Sequence, residues 1–281
     1  MKKTTTYLAI LLSFGIFTAK AQDPFIPQPS TKQVITQDLG LGKITLTYSR
    51  PNVKGRKIFG YVEPYGIVWR TGANSATTIQ FTNEVTVEGQ KVPAGEYSLF
   101  TIPGEKEWMF ILNKVAKQWG AYGYKDSADL VRFKVPKLKS PRFTETLAMQ
   151  FVNATTSTST LQLDWENTEV ELHFTTDVDA QVMANIDKLM QGEKKPYYFA
   201  SIYYYNNNKD IKKALEWITI HDKAQPNGFN VKYWKARIEL KSGDKTSAIA
   251  TAKEGLKLAE EEKNPEYIRL NKEVIAQAEK S

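Results

Sequence analysis

The chain predicts a β-rich N-terminal domain, an antiparallel sandwich or barrel, followed by an all-α domain of tetratricopeptide-like helical hairpins. Three observations carry this expectation. Apolar residues alternate with period two from about residue 33 to 175. From about residue 176 to 281 they recur at helical spacing, between short polar breaks. No crossover helix separates the strands, so parallel pairing has no means of connection.

The first 21 residues read as a secretory signal peptide. Met1-Lys2-Lys3 gives a positive start, Tyr7 to Phe17 is apolar apart from Ser13 and Gly15, and Ala19-Lys20-Ala21 is a small-x-small cleavage site before Gln22. The apolar run is shorter than the roughly 20 residues that span a bilayer. The expectation is export, periplasmic or secreted, with no membrane span after the signal is removed. Residues 22–32 form a flexible N-terminal segment.

The β-domain is assigned to 33–175. Ile44, Leu46 and Tyr48 alternate with Thr45, Thr47 and Ser49. The same alternation marks Leu147, Met149 and Phe151, then Leu161, Leu163 and Trp165, then Val170, Leu172 and Phe174. Each set reads as a strand with one buried face. Turns are expected at Gly40-Leu41-Gly42, Glu88-Gly89, Pro93-Ala94-Gly95, Pro103-Gly104 and Glu166-Asn167. About ten short strands follow from this punctuation.

The helical domain is assigned to 176–281. Val182, Ile186 and Leu189 mark its first helix, and breaks fall at Asn206–Asn208, Pro226–Gly228, Ser242-Gly243 and Asn264-Pro265. An offset of about 34 residues pairs Lys209 with Gly243, Asp210 with Asp244, Ala214 with Ala248 and Leu215 with Ile249. Tyr198, Tyr205, Ala214, Ile218 and Pro226 occupy the large, large, small, large and helix-ending sites of a tetratricopeptide unit. In the second unit Lys232 and Glu239 fall at the two sites that are usually apolar, while Ala236 and Ala248 keep the small ones. An ordinary helical hairpin bundle is the other reading. The tyrosines at 197, 198, 203, 204 and 205 go all round one helix, so some must pack inward.

Composition narrows the function. With 0 Cys, the chain is held by a hydrophobic core and excludes thiol catalysis and thiolate metal sites. The formal charge of +7 falls to +4 without Lys2, Lys3 and Lys20. The remainder divides evenly, with 17 basic and 15 acidic residues in 22–175 and 18 and 16 in 176–281. No half has the strong basic face of a nucleic-acid binder.

The densest chemistry lies in YSRPNVKGRKIFGYVEPYGIVWRTGAN, residues 48–74. Arg50, Lys54, Arg56, Lys57 and Arg70 stand there beside Tyr48, Phe59, Tyr61, Tyr65 and Trp69, with Glu63 as the one acid. Arg forks suit carboxylate or phosphate, and aromatic faces stack on sugars. The same residues can instead pin loops, with Trp69 and Tyr48 in the core. In Arg70-Thr71-Gly72-Ala73-Asn74, Gly72 permits a positive φ and Asn74 can bond its own backbone in a turn. Trp119-Gly120-Ala121-Tyr122 offers two rings on a glycine-containing loop, a platform for a sugar or a plug at the end of a sandwich.

YSRPNVKGRKIFG, VWRTGAN, PAGEYSLFTIPGEKEW and QWGAY, in that order, resemble a family of exported bacterial proteins catalogued as a domain of unknown function. The resemblance covers roughly Pro29 to Thr175. It implies export and a β-rich domain joined to a tetratricopeptide-like tail, and it brings no catalytic or binding residue with it.

Catalysis has little to stand on. His173 and His221 lie in no metal-ligand spacing, and there is no nucleophile elbow, P-loop or dinucleotide fingerprint. No catalytic residue, metal ligand or cofactor is assigned. The reading is an exported binding or scaffolding protein. Its β-domain recognises an anionic or carbohydrate ligand through Arg50, Lys54, Arg56, Trp69, Arg70, Asn74, Trp119 and Tyr122, and its tail a protein or peptide partner. Two rivals stand beside it: a hydrolase of cell-envelope or extracellular polysaccharide, which needs two carboxylates such as two of Glu63, Glu96, Glu107, Asp164 and Glu166 in one cleft, and a purely structural envelope protein.

Overall fold

The computed structural model describes residues 26–280. The expected signal peptide, residues 1–21, lies outside them. The chain divides into two compact units between Thr176 and Asp177.

The N-terminal unit is one antiparallel nine-stranded sheet. In chain order its strands are β1 (Thr31–Leu39), β2 (Gly42–Arg50), β3 (Thr78–Phe81), β4 (Val85–Val87), β5 (Gln90–Val92), β6 (Gly95–Ile102), β7 (Glu107–Asn113), β8 (Asp129–Val152) and β9 (Thr158–Thr175). Their order across the sheet is β1-β2-β3-β6-β7-β8-β9-β4-β5. Thr31 and Lys32, assigned to the flexible segment, already pair with Arg50 and Ser49. The sheet curls around one core: Phe81 on β3 meets Phe174 on β9 with ring centroids 5.9 Å apart. Phe59, Trp69, Trp108 and Trp165 pack together at one place in that core.

The predicted alternation holds, with Ile44, Leu46 and Tyr48 buried on β2. Two strands run far longer than the sequence suggests, which is why there are nine among the described residues. The expected turn at Glu166-Asn167 is instead a kink inside β9. Glu166 takes φ +57°, and the buried set passes from odd positions (Leu161, Leu163, Trp165) to even ones (Val170, Leu172, Phe174). One extra residue does this, as a bulge requires. Opposite it, the register of β8 slips between Lys139 and Thr144 and again between Thr144 and Ala148. The freed stretch pairs elsewhere: Leu147 N–H donates to Pro51 O at 2.9 Å and Val53 N–H to Glu145 O at 2.8 Å. The Tyr48 hydroxyl continues this seam, accepting from Met149 N–H at 2.8 Å and donating to Gln33 Oε1 at 2.6 Å.

The C-terminal unit has six helices among the described residues: α1 (Asp179–Met190), α2 (Tyr197–Asn206), α3 (Ile211–Ala224), α4 (Phe229–Lys241), α5 (Lys245–Glu261) and α6 (Pro265–Lys280). From α2 onward each packs on the next, and α2 on α4 and α4 on α6 as well, the arrangement of tetratricopeptide-like hairpins. The 34-residue offset appears in the caps. Asp210 accepts from Lys212 N–H and Lys213 N–H, and Asp244 from Ser247 N–H. Ala214 and Ala248 are both fully buried. Tyr204 is buried and the other four tyrosines of the cluster are partly buried against the same core. Lys232 and Glu239 are buried too, and keep their charge company. Lys232 Nζ lies 2.9 Å from Asp222 Oδ1 and 3.0 Å from Glu254 Oε2, and Lys235 Nζ lies 2.9 Å from Asp222 Oδ2. Burial pushes the Asp222 carboxyl up, but hydrogen bonds from Lys235 and Lys232 outweigh it and hold it below the usual range.

Candidate functional site

The turn after Trp69 builds one wall of a cleft on the β-domain. Trp69 pairs with Thr101 through N–H···O bonds of 2.7 and 2.9 Å. Its ring points inward, 3 % exposed, stacked on Trp165 at 5.7 Å, and its Nε1 donates to Gly72 O at 3.0 Å. It therefore presents no face to a ligand, which corrects its assignment as a stacking residue. The positive φ falls on Thr71 (+54°), a costly place for a β-branched residue, and on Asn74 (+60°), where an amide side chain is better tolerated. Thr71 is locked by a bond from Thr77 Oγ1 to its carbonyl at 2.7 Å and by Thr101 Oγ1 at 3.0 Å. Gly72 serves close approach instead, since a Cβ there would stand 2.9 Å from Ser49 O. Asn74 Nδ2 reaches beyond its own turn, to Ser30 O at 3.2 Å and Ser49 Oγ at 3.4 Å.

The loop after β7 forms the adjoining wall. Gly120 N–H donates to Asn74 O at 3.0 Å, Ala76 N–H to Gln118 O at 3.0 Å, and Ser75 pairs with Trp119. Its far end is anchored at Asp129, which accepts from Tyr124 Oη at 2.7 Å, Arg132 Nε at 2.8 Å and Asn113 Nδ2 at 2.8 Å. Burial and the bond to Asp129 push the Tyr124 hydroxyl up to about 12.

Between these walls and the start of β1 lies a half-open cleft of about 620 Å³. Ser30, Thr47, Ser49, Ser75 and Thr78 line it with hydroxyls, Gln28, Asn74 and Gln118 with amides, and Lys32, Lys117 and Glu96 with charge. A second cleft of about 370 Å³ runs between β1 and β8 and includes Arg50. Asn74 and Arg50 are thus the two sequence-assigned residues that line these clefts. Trp119 and Tyr122, 63 % and 84 % exposed, stand in solvent beside the larger one and plug nothing. The lining that the sequence did not assign to ligand binding, such as Ser49 and Thr78, carries no signal that separates it from any other outward-facing strand position.

The arginines are bound by carbonyls. Arg50 Nε donates to Leu147 O at 2.9 Å, Arg56 to Val53 O at 3.0 Å and Asn52 O at 2.7 Å, and Arg70 Nε to Gly72 O at 3.4 Å. Lys54, with Gly55, forms the positive-φ tip of a tight turn closed by Arg56 N–H and Val53 O. The loop-pinning role is therefore real, yet it leaves the charge uncompensated. Arg50, Lys54, Arg56, Lys57 and Arg70 in one segment, and Lys114, Lys117 and Lys125 in the other, form none of the salt bridges found among the described residues. Glu63 lies in the field of Arg70 and Arg56. Burial pushes its carboxyl up to about 7, against the pull of Arg70 and Arg56.

Acid–base machinery does not converge on the cleft. Of the carboxylates that the sequence offers as a hydrolytic pair, Glu96 alone lines it. Asp164 is buried against Ser140, and Glu107 is paired with Lys134 at 3.0 Å. His173 is held by Glu88 Oε1 at 2.8 Å, and His221 lies against the Tyr198 ring at 5.2 Å. No group of three or more His, Asp or Glu among the described residues is placed to hold a metal ion. No helix among them is long and apolar enough to cross a membrane.

A search of curated proteins and a search of solved structures each find no match to this chain. A family model does match, described as protein of unknown function DUF2911, over residues 30–174. That span takes in every lining residue of the larger cleft except Gln28, and the chain belongs to the DUF2911 family.

Proposed function

We propose that this is an exported binding protein whose β-domain takes an anionic, sugar-like ligand in the cleft beside Asn74. One observation carries the reading. A concave surface lined by hydroxyls and amides adjoins two segments whose eight cations form no salt bridge among the described residues. Polyols are matched by such a lining, and uncompensated cations in a cleft draw anions toward it. Lys32 and Lys117 would meet the negative group, while Asn74, fixed by Ser30 and Ser49, would orient the ring. A lone lining carboxylate, Glu96, supports binding over hydrolysis.

The helical unit supports a protein or peptide partner. Arg237 is stacked over Tyr205 at 4.8 Å and Trp234 at 4.9 Å, and Lys241 over Tyr205 at 4.6 Å, with neither cation ion-paired among the described residues. Phe199 on α2 is 74 % exposed.

The test is calorimetry against a panel of uronic-acid, sialic-acid and phosphosugar oligosaccharides. Binding should weaken on the order of tenfold in Asn74→Ala and in Lys117→Ala, the loss of about one charge-assisted hydrogen bond. A panel with no binder, or binding indifferent to both substitutions, overturns the proposal.

A further inference from the structure

The two loops expose large apolar side chains among their cations, and these side chains line neither cleft described above. Tyr61 is 73 % exposed and Ile67 59 %, beside Trp119 and Tyr122. A small soluble anion is held by a concave pocket. Rings and an isoleucine held out in water have nothing to gain from it.

The loops form one layer. Val68 and Ala121 pack in the same small apolar cluster over Phe100 and Ile111, on the outer side of β6 and β7. Trp119 pairs with Ser75, and the Arg70 guanidinium reaches Gly120, with Nη1 3.0 Å from where a Cβ would stand. Glu63 sits in the fields of both Arg56 and Arg70, tying the 54–63 loop to the same neighbourhood. Lys57 Nζ stands 5.1 Å above the Tyr61 ring. The layer therefore mixes amphipathic rings with Arg56, Lys57 and Arg70, which form no salt bridge among the described residues, and one half-buried acid.

We infer that this layer docks on an anionic phospholipid surface, with Trp119, Tyr122, Tyr61 and Ile67 entering the headgroup region and the lysines and arginines facing lipid phosphates. Tryptophan and tyrosine settle at the membrane–water boundary, where one end of the ring is apolar and the other wet. Cations flanking them add attraction to an anionic leaflet, and neither term alone holds a protein firmly. A protein partner of this face would need a matching acidic surface with its own pockets for four separated side chains. A lipid headgroup layer deforms around them. The inference rests on the same uncompensated charge as the proposed function, but on different side chains from those of the cleft.

Flotation of the full chain with vesicles tests it, using phosphatidylcholine alone and phosphatidylcholine with about one-third phosphatidylglycerol. The protein should float with the mixed vesicles, not with the neutral ones, and should be released by half-molar salt, as charge screening demands. Lys54→Glu combined with Lys57→Glu should weaken binding on the order of tenfold or more. Trp119→Ser combined with Tyr122→Ser should weaken it too, while retention on a heparin column, which reads charge alone, stays unchanged. Brominated lipid should quench the parent protein more than Trp119→Phe. Equal binding to both vesicle types, or full binding by the Trp119→Ser, Tyr122→Ser variant, overturns the inference. So does release from vesicles by an acidic protein fraction that binds the same variant undiminished, which would mark a protein-binding face. Wild-type protein that binds a panel oligosaccharide but ignores both vesicle types leaves the cleft proposal standing and removes this one.

Discussion

Glu63 shows how much one side chain can decide. Its folded carboxyl titrates at about 7 against an ordinary 4.5, so the folded state holds the proton more tightly than the unfolded chain. Glu63 thus favours folding fully below about pH 4.5 and loses that contribution as the pH rises to about 7. In Glu63→Gln this slope should vanish, and the variant should be more stable than the parent at pH 8 by on the order of 2 kcal/mol, read from urea unfolding at pH 5 and pH 8. Tyr48 acts through its oxygen. In Tyr48→Phe the Met149 N–H loses its partner at the seam of the sheet, and denaturant unfolding should show a loss of about 1–3 kcal/mol. At Trp69 the inward ring is the whole explanation for its misassignment. A tryptophan among arginines and glycines reads the same in sequence whether its strand faces it in or out, and no alternation flanks Trp69 to set the phase.

Among the elements, β9 carries the sharpest test. Its buried positions shift from odd to even across Glu166, so one further residue inserted after Glu166 should turn Val170, Leu172 and Phe174 toward solvent. The expected outcome is loss of the cooperative β-domain transition in near-ultraviolet circular dichroism. The shift of phase is visible in the sequence, yet a change of phase is produced by a turn and by a bulge alike. Residue counts between turns cannot separate them, which is why two short strands were expected where one long one runs. Strand faces, the hairpin at Gly40-Leu41-Gly42 and the helical offset were legible because each rests on local periodicity. The cleft was legible only at Asn74 and the loop near Lys117. Its other walls come together through pairings such as Ser30 with Asn74, 44 residues apart, which no local pattern encodes.

For the whole molecule, charge and export set the expectations. The mature chain should begin at Gln22 and carry a net formal charge of +4, and intact mass of the exported protein checks this; retention of Met1 would refute it. Within the helical unit, Asp222→Ala would leave Lys235 and Lys232 without their shared carboxylate. Its thermal transition, followed by far-ultraviolet circular dichroism, should show a loss of about 3 kcal/mol. The loss should be smaller in Lys232→Met combined with Asp222→Leu, where Lys235 alone loses its carboxylate.

The same knot of Asp222, Lys232 and Glu254 joins α3, α4 and α5 by opposite signs where a generic unit would use oil. Such a segment is not a free building block. Grafted beside foreign hairpins it would meet greasy neighbours and strand an ammonium group, so this tail can diversify by exchanging its outward side chains far more readily than by borrowing, duplicating or losing a helix.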